Sequence, residues 1–387
     1  MSEVDALFLV LAALYLIQCI HWVAEEAFLF RQTWLGRWRP AALAVHLSGL
    51  HRKALMASPL PPLGGVLVCS PVERAAPFAL APEGVVLPGG EKLRYEEFAL
   101  RTPQSPQLRL NGTHAVRFVS AVAARHWATI LRKLAKQAVE QRASTIERAV
   151  EAMLDSERIA QDVARCRAHA ALLRWHCNVL FVFLFVLAPV AVWLRGLAFT
   201  WPVLLAALLV QMWVIAWLFR RAHLRVQAED SETRFTATAT MLLSPMAAVR
   251  AGDLLLLDLL SCYHPAAVAR VLCRSERFEA LAARSLREVF FPLPSSNFAD
   301  DDSGWTEWWD AKWREALRRF VARHVEQGER FLAAPSAQQD CQSYCPRCWN
   351  QYLSHARECA DCDGLPLRPL PHIAPDAGSQ VSASLEP

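Results

Sequence analysis

The plainest chemistry in this chain lies near its C-terminal end, in Cys345-Pro346-Arg347-Cys348 and Cys359-Ala360-Asp361-Cys362. Two thiols spaced this way can grip one metal ion from a single turn of backbone, and two such pairs complete a tetrahedron of sulfur. The intervening positions 349–358 suffice for a short hairpin that brings both pairs to one centre. A closed site of four thiolates leaves no position for water or substrate, so its role is structural rather than catalytic. Disulfides compete for the same residues, but the charge pattern of the chain puts this segment on the cytoplasmic side of a membrane, which favours metal. Cys341 and His355 are additional donors close in sequence and read as bystanders. Cys69, Cys166, Cys177, Cys262 and Cys273 have no partner spacing and read as small buried residues.

The segment 341–370 resembles the zinc-ribbon modules found at the ends of many bacterial proteins. Tyr352 stands in the intervening hairpin, and Cys362-Asp363-Gly364-Leu365-Pro366-Leu367 follows the second pair. The resemblance implies that Cys345, Cys348, Cys359 and Cys362 ligate one structural Zn2+ ion. Iron in a rubredoxin-like centre is the alternative, because four thiolates accept either ion. Trp349 departs from the pattern, since a small residue usually follows the first pair.

Other chemistry is sparse. No nucleophile elbow, paired-histidine zinc helix, phosphate loop or dinucleotide fingerprint occurs. His21 and Glu25 stand four apart and could share a ligand, although anchoring at a membrane interface explains them as well. His264, before Pro265, reads as a structural residue at a helix start. Asp300, Asp301 and Asp302 could bind a hard cation, but an acidic run ahead of a helix more often complements the helix dipole.

These residues must be positioned by a chain of 387 residues that is 54% hydrophobic and 20% charged, with mean hydropathy +0.17. That balance excludes a disordered chain and points to membrane segments. A spanning helix needs roughly 20 mostly apolar residues, and three stretches reach that length: 4–23, 177–194 and 197–219. The last two are joined by Arg195-Gly196 and form a hairpin, with Trp193, Trp201, Trp213 and Trp217 toward the ends, where aromatic belts form. The first lacks the basic start of a cleaved signal, and Gln18 is a poor residue before a lipid-bearing Cys19, so it reads as an uncleaved anchor. Arg31, Arg37 and Arg39 follow the first span, Arg165, Arg167 and Arg174 precede the second, and Arg220, Arg221 and Arg225 follow the third. All three basic flanks fall on one side when the N-terminus is outside and the C-terminus cytoplasmic, with Arg195 as the exception.

The fold expected is a mainly α integral membrane protein. Transmembrane helix 4–23 leads through a juxtamembrane segment 24–62 into a small β-rich module with a closing helix, 63–140. A cytoplasmic helix 144–176 follows, then the spans, a cytoplasmic helical domain 220–334, the zinc ribbon 341–370 and a disordered tail 373–387. Glycine and proline crowd 36–112, so strands are expected at 65–69, 78–80, 85–87, 93–98, 107–110 and 115–119. With a helix starting near Ser120, this arrangement resembles the bacterial pleckstrin-homology-like fold. Ser144 and Glu147 fit a capping box, which predicts a helix break near 142–144. Beyond it Ile146, Val150, Met153, Ala160, Val163, Ala170 and Leu173 make a seam, either of a stalk leaving the membrane or of a helical domain. The amphipathic stretch 305–327, with Trp305, Trp309 and Trp313 on one side, faces either a protein core or the membrane surface.

The function these features support is a membrane-anchored cytoplasmic interaction or assembly protein, in a bacterial inner membrane, whose partners are the lipid bilayer and other proteins. A membrane enzyme with a cytoplasmic site is an alternative. A membrane-tethered nucleic-acid binder is another, although the net charge of +4 is far from a basic stripe. Arg347, Arg357 and Arg368 of the ribbon are balanced by Asp340, Glu358, Asp361 and Asp363.

Overall fold

The computed structural model describes residues 2–17, 20–24, 28–32, 38–40, 53–57, 66–69, 77–103, 105, 107–118, 120–226, 231–293, 304–338, 340–353 and 356–371. It is mostly helical, with small antiparallel sheets. Helix α1 covers Glu3–Ile17, α2 Ala121–Lys136, α3 Val139–Met153, α4 Ser156–Val182, α5 Ala188–Arg195 and α6 Leu197–Val226. Then come α7 Ser231–Leu243, α8 Pro245–Val249, α9 Ala251–Leu260, α10 Pro265–Leu272, α11 Ser275–Phe290 and α12 Trp305–His324.

Two helical runs dominate. The first, Ser156–Arg195, comprises α4, a π-helical turn at Phe183–Leu187 and α5; the second is α6. The π turn has a local cause in Pro189, which lacks an N–H and whose ring crowds the carbonyl four residues back, so the preceding turn widens. Gly196, at φ +77°, ends the run by donating to the Val192 carbonyl at 2.8 Å, and α6 starts at once beside α5. Both runs are long and apolar enough to cross a membrane, and only 28% of the most apolar window in each is buried, unlike the core helix of a globular domain.

The expected third span is not found among the described residues. Helix α1 ends at Ile17, so it rises about 22 Å, short of the ~30 Å hydrocarbon core. Ile20–Ala24 instead forms strand β1, paired antiparallel with β4, Lys53–Ala57, from Ile20↔Ala57 to Ala24↔Lys53. Hydropathy does not separate the two states, and Ile20, Trp22 and Val23 suit a strand. Helix α1 packs on α5 and α6. Asp5 is buried there and accepts from the Leu197 N–H at 2.8 Å, which caps α6 from another helix.

The remaining helices wrap the lower halves of α4 and α6, so these do not leave as a free stalk. Ile159, Val163, Cys166, Ala170 and Leu173 of α4 and Ile215, Phe219 and Ala222 of α6 are buried, with α8, α9 and α10 packed on α4. The expected break at 142–144 is displaced: α3 runs through it, and the breaks fall at Gln137–Ala138 and Leu154–Asp155. Ser144 bonds back to the Gln141 carbonyl, while Asp155 caps α4 by accepting from Glu157 and Arg158. The shifted break moves the seam, so Ile159 is buried and Ala160 exposed. Arg142 explains the continuity of α3. It is buried, its Nε donates to the Leu134 and Gln137 carbonyls that end α2, and its guanidinium lies over the Tyr95 ring at 4.8 Å.

Strands β2 Phe28–Gln32, β3 Trp38–Pro40 and β5 Val66–Cys69 form one three-stranded sheet, and β6 Ala79–Leu80, β7 Gly84–Val86 and β8 Lys92–Arg94 another. Strands β9 Gln107–Arg109 and β10 Ala115–Arg117 make a separate hairpin. These small sheets do not join into the larger strand layers that the pleckstrin-homology-like resemblance implies, among the described residues. The Trp-rich helix α12 faces the core: Trp309 and Trp313 are fully buried, and Trp127 of α2 meets Trp309 edge-on at 6.4 Å. A side chain at Gly84 would strike both the Leu93 carbonyl and the Trp305 ring, so glycine there lets the sheet approach α12. Asp300, Asp301 and Asp302 lie outside the described residues, as does the tail from 372.

Candidate metal centre

Strand β11, Ser343–Tyr344, pairs with β12, Gln351–Tyr352, and the first cysteine pair occupies the turn between them. The turn is tight: Cys345 donates to the Asn350 carbonyl and Trp349 to the Cys345 carbonyl, each at 2.9 Å. Strand β13, Glu358–Cys359, pairs with β14, Leu365–Pro366, and the second pair fills that turn, where Gly364 donates to the Cys359 carbonyl at 3.1 Å. Strand β15, Arg368–Pro369, returns to β11 and closes the unit.

The two turns bring Cys345, Cys348, Cys359 and Cys362 together. All four Sγ atoms lie within 4.8 Å of one another, with Cys348 and Cys359 at 3.6 Å. Tetrahedral zinc at ~2.3 Å from each sulfur requires separations near 3.8 Å, so the cluster fits a single ion. None of the four is in a disulfide. Cys345 and Cys359 are fully buried, and the Tyr352 hydroxyl donates to Cys359 Sγ at 3.1 Å, a bond that orients a thiolate ligand. Crowding splits the thiols: Cys345 is drawn below the usual thiol range, chiefly because Cys348 donates to it. Burial, and then the charge on Cys345, push Cys362 up to about 12. Four sulfurs this close cannot all ionise without a cation among them. A bound ion would be held by these four thiolates and would supply cross-linking of the two turns, with no open position for a reaction.

Trp349 has φ +65°, the left-handed conformation that a small residue ordinarily fills. Its side chain explains why tryptophan stands there, because the Arg287 guanidinium of α11 lies over the indole at 4.1 Å. Arg287 Nε also donates to the Arg347 carbonyl at 3.0 Å. In return Arg347 Nη1 donates to the carbonyls of Glu288 at 3.2 Å and Phe291 at 2.9 Å, the end of α11. Leu293 packs against the cysteine cluster, and Arg368 lies over the Phe291 ring at 4.6 Å. The ribbon is therefore bolted to a helix. Spacing alone gave no sign of Arg287 or of this role for Arg347.

Cys341 stands outside the cluster, and Cys166 and Cys177 are buried elsewhere. His264 is fully buried and caps α10 by accepting from the Ala266 N–H, which fits a structural residue. His355, Glu25 and the side chain of His21 lie outside the described residues. A cleft of about 480 Å³ opens between the α3–α4 junction and the end of α12. In it Ser156 Oγ stands 3.4 Å from His324 Nε2, and burial, then Arg270 and Arg323, lower the histidine's pKa. Of the carboxylates that line the cleft, Asp155 caps α4 and Glu151 pairs with Arg319, while Glu157 stands next to Ser156 in the chain. No protein-family model matches the chain, and no curated protein and no solved structure matches it either.

Proposed function

We propose that this protein is a membrane-anchored interaction or assembly factor, with the α4–α5/α6 hairpin through the bilayer and the helical body and ribbon in the cytoplasm. One observation carries the reading: the hairpin turns large apolar side chains outward along its length. Leu194 and Phe199 are each 73% exposed, and Val203 is 71% exposed. Water disfavours such a surface by about 25 cal/mol per Å² of apolar area, whereas lipid accepts it. Because Asp5 caps α6, the N-terminus shares the side of the hairpin turn, and the basic flanks assign that side to the exterior. Zinc bound by Cys345, Cys348, Cys359 and Cys362 stiffens a ribbon that presents a rigid face, with Leu353 61% exposed at its hairpin, to a protein partner.

Reporter fusions test the placement. A fluorescent protein joined after Ser120 or after Pro387 should fold and emit, while a periplasmic phosphatase at the same points should be inactive. An active phosphatase at either point overturns the assignment.

A further inference from the structure

We propose that the C-terminal end of α7 reaches the cytoplasmic interface of the bilayer, with Leu242 and Leu243 set toward the acyl chains and Phe235 nearer the headgroups, so that the protein grips the membrane with a helix that does not span it. This rests on the membrane reading of the hairpin. The sequence argument begins with charge: from Phe235 to Val249 there is no charged residue, and Arg234 and Arg250 bracket the stretch. A helix on a water-facing surface carries charged or polar groups on its outer side. Here the outer side holds Phe235, 76% exposed, Leu242, 42%, and Leu243, 85%, while Met241 is fully buried on the inner side. Thr236 and Thr240 are also exposed, but two of the hydroxyls turn inward: Thr238 Oγ1 donates to the Arg234 carbonyl at 2.6 Å and Thr240 Oγ1 to the Thr236 carbonyl at 2.9 Å. Hydroxyls turned back on their own helix leave no donor that needs water.

Depth is fixed by two contacts with α4. Cys177, where the apolar stretch of the second span begins, donates from Sγ to the Ala248 carbonyl at 3.3 Å. Farther from the bilayer, Gly252 lies so close to Arg174 that an added Cβ would sit 2.9 Å from its Cγ. The chain thus climbs out of the interface between residues 248 and 252, and the end of α7, just before, reaches the level of Cys177. Helix α7 packs on α6, whose last residue, Val226, lies beyond the basic flank, so α7 runs back toward the bilayer. On the long helices, where Gln211 of α6 donates to the His176 carbonyl of α4 at 3.0 Å, exposed tryptophans cluster near this level: Trp175, 59% exposed, on α4, and Trp213 and Trp217, 64% and 49% exposed, on α6, with the Arg221 guanidinium 5.6 Å from the Trp217 ring centre. Tryptophan beside arginine marks the headgroup zone, and Arg220, Arg221 and Arg225 at the end of α6 suit anionic phosphates, although Glu229, Asp230 and Glu232 follow them in the chain.

Photo-cross-linking in vesicles of phosphatidylethanolamine and phosphatidylglycerol tests this. The full chain would carry p-benzoylphenylalanine in place of Phe235 or Leu243, with Val203 in the hairpin and Leu353 in the ribbon as references. Lipid adducts at 243 should approach the yield at 203 and exceed that at 353 on the order of tenfold, with a lower yield at 235 that still exceeds that at 353. Adducts at 203 without adducts at 235 and 243, or cross-links from α7 to a second copy of the chain, would overturn the proposal and leave the hairpin reading intact. Absence of adducts at all of these sites, 203 included, would overturn both.

Discussion

The ribbon and the aromatic body of this protein solve the same problem with different materials. In the body, Trp127, Trp309, Trp313 and Phe78 bury their rings completely and meet edge to face, Phe78 with Trp127 at 5.3 Å and Trp309 with Trp313 at 5.8 Å. In the ribbon the buried cluster consists of Cys345, Cys359 and Cys362, with Leu293, Cys348, Tyr352, Leu365 and Leu367 partly buried around it, and Tyr344 and Leu370 are the large side chains buried beside it. A unit that small has too little apolar surface to offset the entropy of ordering its chain. Four close sulfurs offer that cohesion, because an ion shared among them would tie the two turns together, whereas the body distributes cohesion over many contacts. The difference teaches where each region is fragile: one is all-or-none at four atoms, the other graded.

The sharpest way to break the contrast is at sulfur. Replacing Cys359 by serine should abolish metal binding and unfold 343–369, since structural zinc contributes on the order of 10 kcal/mol to such modules. Cys341→Ser, four positions before the cluster begins, should be nearly neutral. Metal content of the purified protein and amide exchange across β11 and β12 check both. Amides that stay protected after the metal is stripped would show that the ribbon has a core of its own.

In the body the expected losses are smaller and depend on shape. Trp309→Ala should cost about 3–5 kcal/mol, the usual range for emptying a buried aromatic site. Trp309→Phe should cost much less than its size suggests, because the indole N–H of Trp309 has no hydrogen-bond partner among the described residues. Removing an unsatisfied buried donor offsets part of the lost packing. Thermal unfolding in detergent measures both variants. A phenylalanine variant as damaged as the alanine one would mean that the indole nitrogen is engaged after all.

The same contrast governs what could be read in the sequence. The cysteine cluster was legible because ligand spacing is local, and the turns of β6–β8 were legible through Pro88, Gly89 and Gly90, the glycines at φ +100° and +82°. The end of α1 was not, since an apolar run satisfies a helix and a strand equally until β4 arrives to pair with it. The helix break was misplaced because Ser144 looks like a cap, while the residue that holds α3 together, Arg142, bonds to carbonyls of another helix. The amphipathic face of α12 was legible, but whether it met a core or the membrane surface was not; the fold buries Trp309 and Trp313 completely and Trp305 and Trp308 in part. Long-range partners leave no periodicity. Arg287 and Arg347 are separated by 60 positions and reach each other only in the folded chain.

That pair is also where the two regions meet, and cutting it is the finest test of whether they are separate. Arg347→Ala removes the donor that satisfies the Glu288 and Phe291 carbonyls at the end of α11 but touches no sulfur. A carbonyl stripped of its charged partner loses roughly 1.5–3 kcal/mol if it stays buried, and less if water reaches it. If the ribbon is held by metal and merely bolted to the body, Arg347→Ala should keep full metal content while amide exchange over the last turn of α11 accelerates about tenfold or more. Arg347→Lys should recover only part of the protection, because a single ammonium cannot reproduce the planar fork that serves two carbonyls. Loss of metal in the alanine variant would show instead that the α11 contact is needed to assemble the four thiolates, making ribbon and body one cooperative unit.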